Sequence, residues 1–218
     1  MNKITTVIFD FDGTMADTND LIIESWQQVF RHVTGKDGDL DKIKTSFGEA
    51  LDETMEKWFG DRKDECLKLY RDFQQSIFLE KITLFPGIRE LLTKLKADGY
   101  KVAVATSRKK TSTLAALEKF ELFDMLDAVV TCDDVTMHKP HPETVLATLA
   151  KLGSKPEESV MIGDSIYDIM CGKNAGVRTI FVNWAVASCS PEKKAACPPD
   201  FTVDSPEEIG DLLAVSCE

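Results

Sequence analysis

The residues best able to do chemistry come in four short groups. Asp10 and Asp12 flank Phe11 and precede Gly13 and Thr14; Thr106 and Ser107 form a hydroxyl pair; Lys139 stands just before Pro140; Asp164 follows Gly163, with Asp168 four residues on. Carboxylates two residues apart on an extended segment point the same way, so Asp10 and Asp12 can face one ligand. Like charges that close are unfavourable unless a cation lies between them or one is protonated. A hard dication such as Mg2+, which prefers oxygen ligands, is the simplest resolution. Hydroxyls such as those of Thr106 and Ser107, with neighbouring backbone N–H groups, can bind phosphoryl oxygens.

These groups lie where strands are expected to end. Ile4–Phe9 is a nearly unbroken apolar run, the signature of a strand buried on both faces. Lys101–Thr106, Ala128–Thr131, Val160–Ile162 and Arg178–Val182 read as further strands. Between and after them, helices are expected over Ile88–Asp98, Thr111–Phe120, Pro142–Leu152, Ile166–Ala175 and Glu207–Val215, several stopped by a glycine (Gly99, Gly153, Gly176). The alternation predicts an α/β fold, a parallel sheet with helices on both faces. In such a sheet ligands bind beyond the carboxyl ends of the strands, and there the four groups would converge. Taken singly each has an ordinary explanation. An Asp-Gly after a strand is usually a turn, Thr106-Ser107 can cap the next helix, and two acids four apart often only face a helix N-terminus. Their order along the chain, one complementary part per strand end, argues for a site.

Between the first and second groups the period changes. No alternating segment appears between Asp17 and Glu80, and helices are expected after the capping oxygens of Asp17–Asp20 and over Leu40–Phe47, Leu51–Phe59 and Glu65–Glu80. Met55, Trp58, Phe59, Leu67, Tyr70 and Phe73 give this block its own small core. The expected organisation is therefore an α/β core from residues 1–16 and 83–218 with an all-helical insert at 17–82. Met15–Thr18 and Thr83–Phe85 are the expected links and hinges, and Cys189–Pro199 an expected loop.

Composition narrows the partners. The chain has 218 residues, 43% hydrophobic and 29% charged, an ordinary globular balance. A net charge of −11 speaks against non-specific nucleic-acid binding, which depends on Lys and Arg neutralising phosphates. Neither a membrane span nor a signal-peptide pattern is legible. Six cysteines without CxxC spacing fit free thiols in a reducing compartment, so a cytoplasmic protein is expected. His138, His141 and the run Arg108-Lys109-Lys110 read as surface residues, Arg108 being within reach of an anion.

The four groups, in this order and spacing, resemble the haloacid dehalogenase (HAD) superfamily over essentially the whole chain. Asp10-Phe11-Asp12-Gly13-Thr14 resembles its DxDGT motif, Thr106 its second-motif hydroxyl, Lys139 its third-motif lysine, and Gly163-Asp164-Ser165-Ile166-Tyr167-Asp168 its GDxxxD motif. The insert resembles the C1 helical cap of the phosphoglycolate phosphatase branch. Ile4–Val7 and Asp133–Thr136 look most like the bacterial HAD-type inorganic pyrophosphatases. The resemblance implies a Rossmann-like core and a Mg2+-dependent phosphatase working through an aspartyl-phosphate. Asp10 would be the nucleophile, Asp12 the general acid and base, and Lys139 and Thr106 the phosphoryl-binding groups. Mg2+ would lie between Asp10, Asp164 and the backbone carbonyl of Asp12, with Asp168, Ser107 and Gly13 in support. The cap would close over the crevice, with Gly48 as a turn at its tip and Phe47 and Glu49 as candidate substrate contacts, Phe47 reading more readily as part of the cap's own core.

A phosphoglycolate-like ester is the leading substrate expectation and inorganic pyrophosphate the alternative, in a monomer or homodimer. The acid at position 12 argues against halide-displacing relatives, and the lack of arginine in Thr45–Leu51 argues against a β-phosphoglucomutase-type mutase. A non-catalytic binding protein would have no need of the complete motif set.

Overall fold

The structure, a computed structural model, describes residues 3–47, 49, 51–185 and 195–215. The chain divides into two compact units, residues 1–17 with 83–218, and residues 18–82.

The larger unit is built on a six-stranded sheet. Its strands are β1 (Thr6–Phe9), β4 (Lys101–Ala105), β5 (Ala128–Val130), β6 (Ser159–Gly163), β7 (Arg178–Val182) and β8 (Phe201–Val203). The order across the sheet is β5-β4-β1-β6-β7-β8, and every neighbouring pair is parallel. This is the doubly wound order, in which the chain steps outward from β1 in one direction and then returns to its other side. The reversal falls between β1 and β6, and it opens a crevice at their carboxyl ends. Phe9, the last residue of β1, lies level with Val104 on one side and Ile162 on the other, each one residue short of its strand's end, so three neighbouring motif strands stop at nearly the same height.

The apolar run of β1 forms a strand because both of its faces are covered: Thr6, Val7, Ile8 and Phe9 are all fully buried. Burying each large apolar side chain contributes about 1.5–3 kcal/mol relative to exposure. Ile8 packs with Ala105 and Met161 from the neighbouring strands, Val145 and Leu149 from α7 (Glu143–Leu152), and Cys171 from α8 (Ile166–Asn174). Helix α5 (Ile88–Ala97) packs on β4 and on α9 (Pro206–Val215), while α6 (Lys110–Lys119) follows β4 in the chain.

Three details depart from the sequence expectations. Phe201–Val203 is a sheet strand; three residues with one buried side chain carry no strand signal of their own. Ala16–Asp17 (β2) and Thr83–Leu84 (β3), within the links expected as hinges, pair as a short antiparallel ribbon that the sequence did not signal. Thr18 stands at the N-cap of α1 (Asn19–Thr34), but its side chain makes no capping bond. Most of the loop expected around Cys189 lies outside the described residues. The four described cysteines, Cys66, Cys132, Cys171 and Cys197, are free thiols.

The smaller unit consists of α1, α2 (Leu40–Thr45), α3 (Leu51–Phe59) and α4 (Lys63–Lys81). Its core joins Trp26, Phe30, Ile43, Met55, Cys66 and Tyr70, with Phe47 and Trp58 packed at the edge. The Trp26 ring lies 4.7 Å from Trp58 and 5.1 Å from Tyr70, within the range of favourable tilted aromatic pairs. Asp39 starts α2 by accepting hydrogen bonds from the N–H groups of Asp41 and Lys42. Gly48 and Ala50 lie outside the described residues. No helix among the described residues is long and apolar enough to cross a membrane.

Candidate active site

The crevice between β1 and β6 gathers the motif residues. Asp10 directly follows β1, and its N–H continues the ladder to Ile162 at 2.8 Å. The chain then folds into a tight turn, with the N–H groups of Met15 and Ala16 both bonded to the Phe11 carbonyl. Gly13 sits there at φ +77°, and a Cβ would lie 2.3 Å from Asp164 Oδ2, so backbone shape and close approach both require glycine. Thr14 donates to Asp164 Oδ1 at 3.1 Å, tying the turn to the end of β6. From 170 residues away, the Trp184 indole N–H holds the Thr14 carbonyl at 3.0 Å.

Asp168 is buried on the first turn of α8. Ser165 and Asp168 form a reciprocal capping box, and Asp168 Oδ2 accepts the Ser165 hydroxyl at 2.6 Å. Its other oxygen points at Lys139. The ammonium of Lys139, with its side chain 4% exposed, lies 2.6 Å from Asp168 Oδ1 and 2.7 Å from Asp10 Oδ1. The loop carrying this lysine is fastened by Glu143, whose carboxylate accepts the N–H groups of Thr136 and Met137.

Asp10, Asp164 and Asp168 can each place one oxygen within 4.8 Å of the others. Three carboxylates in a buried site against one ammonium leave negative charge unmatched. Burial, then the Asp168 and Asp12 carboxylates, push Asp10 up to about 7 despite the opposing pull of Lys139. Burial, followed by Asp168 and Asp10, raises Asp164 well above the usual carboxylate range. Burial works against the charged form of Lys139, but Asp10 and Asp168 outweigh it and raise its pKa. An all-oxygen, anion-rich and largely dry cluster fits a hard dication of the Mg2+ type.

Asp12 takes a different partner. Its carboxylate lies outside the three-acid cluster and receives a two-pronged ion pair from Arg108, with Nη2 at 2.8 Å from Oδ1 and Nε at 2.8 Å from Oδ2. The two motif carboxylates therefore coexist because each has its own cation in the protein. This also corrects the surface reading of Arg108, whose side chain is only 10% exposed. Lysines 109 and 110 are exposed, as are His138 and His141.

Thr106 is buried, and its hydroxyl accepts the Arg108 N–H at 3.1 Å. It does not cap the next helix; the Lys110 N–H at the start of α6 is met instead by Asp133 at 2.8 Å. Ser107 is exposed. Sequence reasoning missed the Arg108 pairing, the Glu143 fastening and the Trp184 strut. Arg108 and Glu143 had the signal of lying next to motif residues, whereas nothing local marks Trp184.

Residues 7–182 match the haloacid dehalogenase-like hydrolases. The pyrophosphatase PpaX of Bacillus mycoides is 33% identical over 98% of this chain and 97% of its own length. A Caldanaerobacter subterraneus relative, named provisionally as the same enzyme, is 38% identical over 98% of this chain and 94% of its own. A haloacid dehalogenase-like hydrolase from Streptococcus pneumoniae superposes with a TM-score of 0.86 over 97% of this chain and 99% of its own; at 21% identity, that likeness concerns the fold. The chain belongs to the haloacid dehalogenase-like hydrolases and is a phosphohydrolase. Within them its similarity along nearly the full chain is to the PpaX pyrophosphatases.

Proposed function

We propose that the protein is an inorganic pyrophosphatase that transfers a phosphoryl group to Asp10 and then to water. The reaction rests on one observation above all: a buried ammonium, Lys139, bridges Asp10 and Asp168 inside a three-carboxylate cluster at the sheet's switch point. The substrate rests on similarity to pyrophosphatases along nearly the full length of both chains, which favours pyrophosphate over the phosphoglycolate-like ester expected first.

In this reading an oxygen of Asp10 attacks phosphorus, the bridging P–O bond breaks, and phosphate departs. Asp12, which must hold a proton once substrate is bound, gives it to the departing oxygen and recovers one from the water that cleaves the acyl phosphate. Lys139 neutralises the approaching anion, Asp168 holds Lys139 in place, and the Thr106 hydroxyl takes a phosphoryl oxygen. Asp10, Asp164 and the Asp12 carbonyl would hold Mg2+, which supplies charge neutralisation at the phosphoryl oxygens.

The test is phosphate release from pyrophosphate and 2-phosphoglycolate side by side. With Mg2+, kcat/KM for pyrophosphate should be at least about tenfold higher, a margin that differential contacts in one site can supply. Chelation should stop both reactions. The reverse preference would overturn the substrate, and no release from either would overturn phosphoryl transfer.

Metal binding should also depend on pH. With Asp10 raised to about 7 by burial, the folded metal-free protein holds a proton that the unfolded chain, near 3.8, has released. The folded state therefore binds more protons between those values, and metal-free stability falls as pH rises through that window. A bound dication replaces the proton. Mg2+ should thus raise Tm by several degrees more at pH 8 than at pH 5, a difference readable by thermal melts. An equal shift at both values would show that Asp10 is ionised in the metal-free fold.

A further inference from the structure

We propose that Arg108 reads the leaving group, selecting substrates in which that group carries a negative charge of its own. In pyrophosphate this is the second phosphate. The inference rests on the reading of Asp12 as the residue that faces the leaving oxygen.

Arg108 is built into the crevice at both its head and its base. Nε lies 2.8 Å from Asp12 Oδ2 and 3.1 Å from Oδ1, and Nη2 lies 2.8 Å from Oδ1. Its N–H donates to Thr106 Oγ1 at 3.1 Å, and its carbonyl accepts the Cys132 N–H at 3.2 Å. Two crevice residues therefore fix its position, which a solvated lysine-like charge would not need.

That position determines what the guanidinium meets. A group that exchanges a proton with Asp12 must come within about 3 Å of its carboxylate. Arg108 holds the same carboxylate, so its charge falls within about 6 Å of the leaving oxygen by that geometry. Lys139 is engaged by Asp10 and Asp168, on the side of the transferring phosphoryl group. The two cations thus divide the substrate, Lys139 with the phosphoryl group being transferred and Arg108 with the group that departs. An alcohol offers a guanidinium no charge, whereas a phosphate or carboxylate brings an anionic oxygen that its charge attracts at this distance.

Binding separates this role from support of Asp12. Methylenediphosphonate mimics pyrophosphate with an uncleavable bridge, and methylphosphonate carries only one phosphoryl-like group. By calorimetry with Mg2+, Arg108→Gln should weaken methylenediphosphonate about 10- to 100-fold, the range for a hydrogen bond to a charged group. Methylphosphonate should be affected far less, and Arg108→Lys should recover part of the loss. Turnover gives a second readout. Ethyl phosphate has a neutral leaving group that needs a proton more than departing phosphate does, so a displaced Asp12 would harm it more.

Selective loss on pyrophosphate, carried mainly by KM, supports the inference. Equal loss on both phosphonates, or greater loss on ethyl phosphate, overturns it and leaves Arg108 as a prop for Asp12. If the wild type prefers phosphoglycolate, the pyrophosphate reading fails alone. Arg108 is then judged by phosphoglycolate against ethyl phosphate, where selective loss again supports it and uniform loss overturns it. Thermal melts confirm folding of both variants.

Discussion

Asp10→Asn is expected to lower phosphate release by about 10^5-fold while leaving the protein folded, the scale seen when a catalytic nucleophile is removed. The amide keeps the shape and loses the anionic oxygen that would attack phosphorus. Its effect on stability should run the other way. Burial makes the charged form of Asp10 unfavourable, so at pH 8 without metal the carboxylate is held ionised against its surroundings. Removing that charge also reduces the repulsion felt by Asp164 and Asp168, while Lys139 keeps Asp168 at 2.6 Å. The variant should therefore melt at or above the wild-type temperature in chelator and gain less from Mg2+. Steady-state phosphate release and paired melts test both halves. Activity above a small fraction of wild type would mean that another group attacks phosphorus. A large drop in Tm would mean that the Asp10–Lys139 pair is worth more to the fold than the charge costs.

Much of the larger unit was legible because its signals are local and redundant. β1 is apolar on both faces, and β1, β4 and β6, the strands that precede three of the four motifs, each have a glycine at or near one end (Gly13, Gly99 and Gly163). The four chemical groups needed only the rule that parallel strands present their carboxyl ends together. What escaped depends on partners distant in sequence. β8 is a strand because β7 offers it an edge, pairing Phe181 with Thr202, and not because three residues demand it. Trp184 reaches Thr14 across the fold, a contact that no periodicity encodes. Arg108 was misread for an instructive reason. In a run with two lysines it looked like a solvated face, yet it turns inward because Asp12 waits there with a carboxylate that its fork can grip from two sides. Asp168 shows the reverse. As an acid four residues after Asp164 it had an ordinary surface explanation, but it is buried, and it packs so closely on Gly163 that a Cβ there would lie 2.3 Å from its own.

Replacing Lys139 should damage stability and activity together, and the two losses should answer differently to metal. In Lys139→Met the buried stem keeps its bulk while the cation between Asp10 and Asp168 disappears. Breaking a buried pair by removing one partner costs about 3–5 kcal/mol, because the other charge stays behind unmatched. For a chain of this size that is a fall in Tm of about 10 °C at pH 8 in chelator. The gap should narrow as pH falls, since Lys139 holds Asp10 down and its loss lets the carboxylate take up a proton more readily. Mg2+ should narrow it as well by supplying charge to the same oxygens. Turnover should not follow: even at saturating Mg2+ it should remain about 10^3-fold below wild type, the scale for losing a charge-stabilising donor. The double variant Lys139→Met/Asp168→Asn removes one positive and one negative charge from a contact 2.6 Å long. It should melt closer to wild type than Lys139→Met alone while staying inactive. If the double variant is no more stable than the single, the lysine is held by packing of its stem and the charge balance of the cluster is not what keeps it buried.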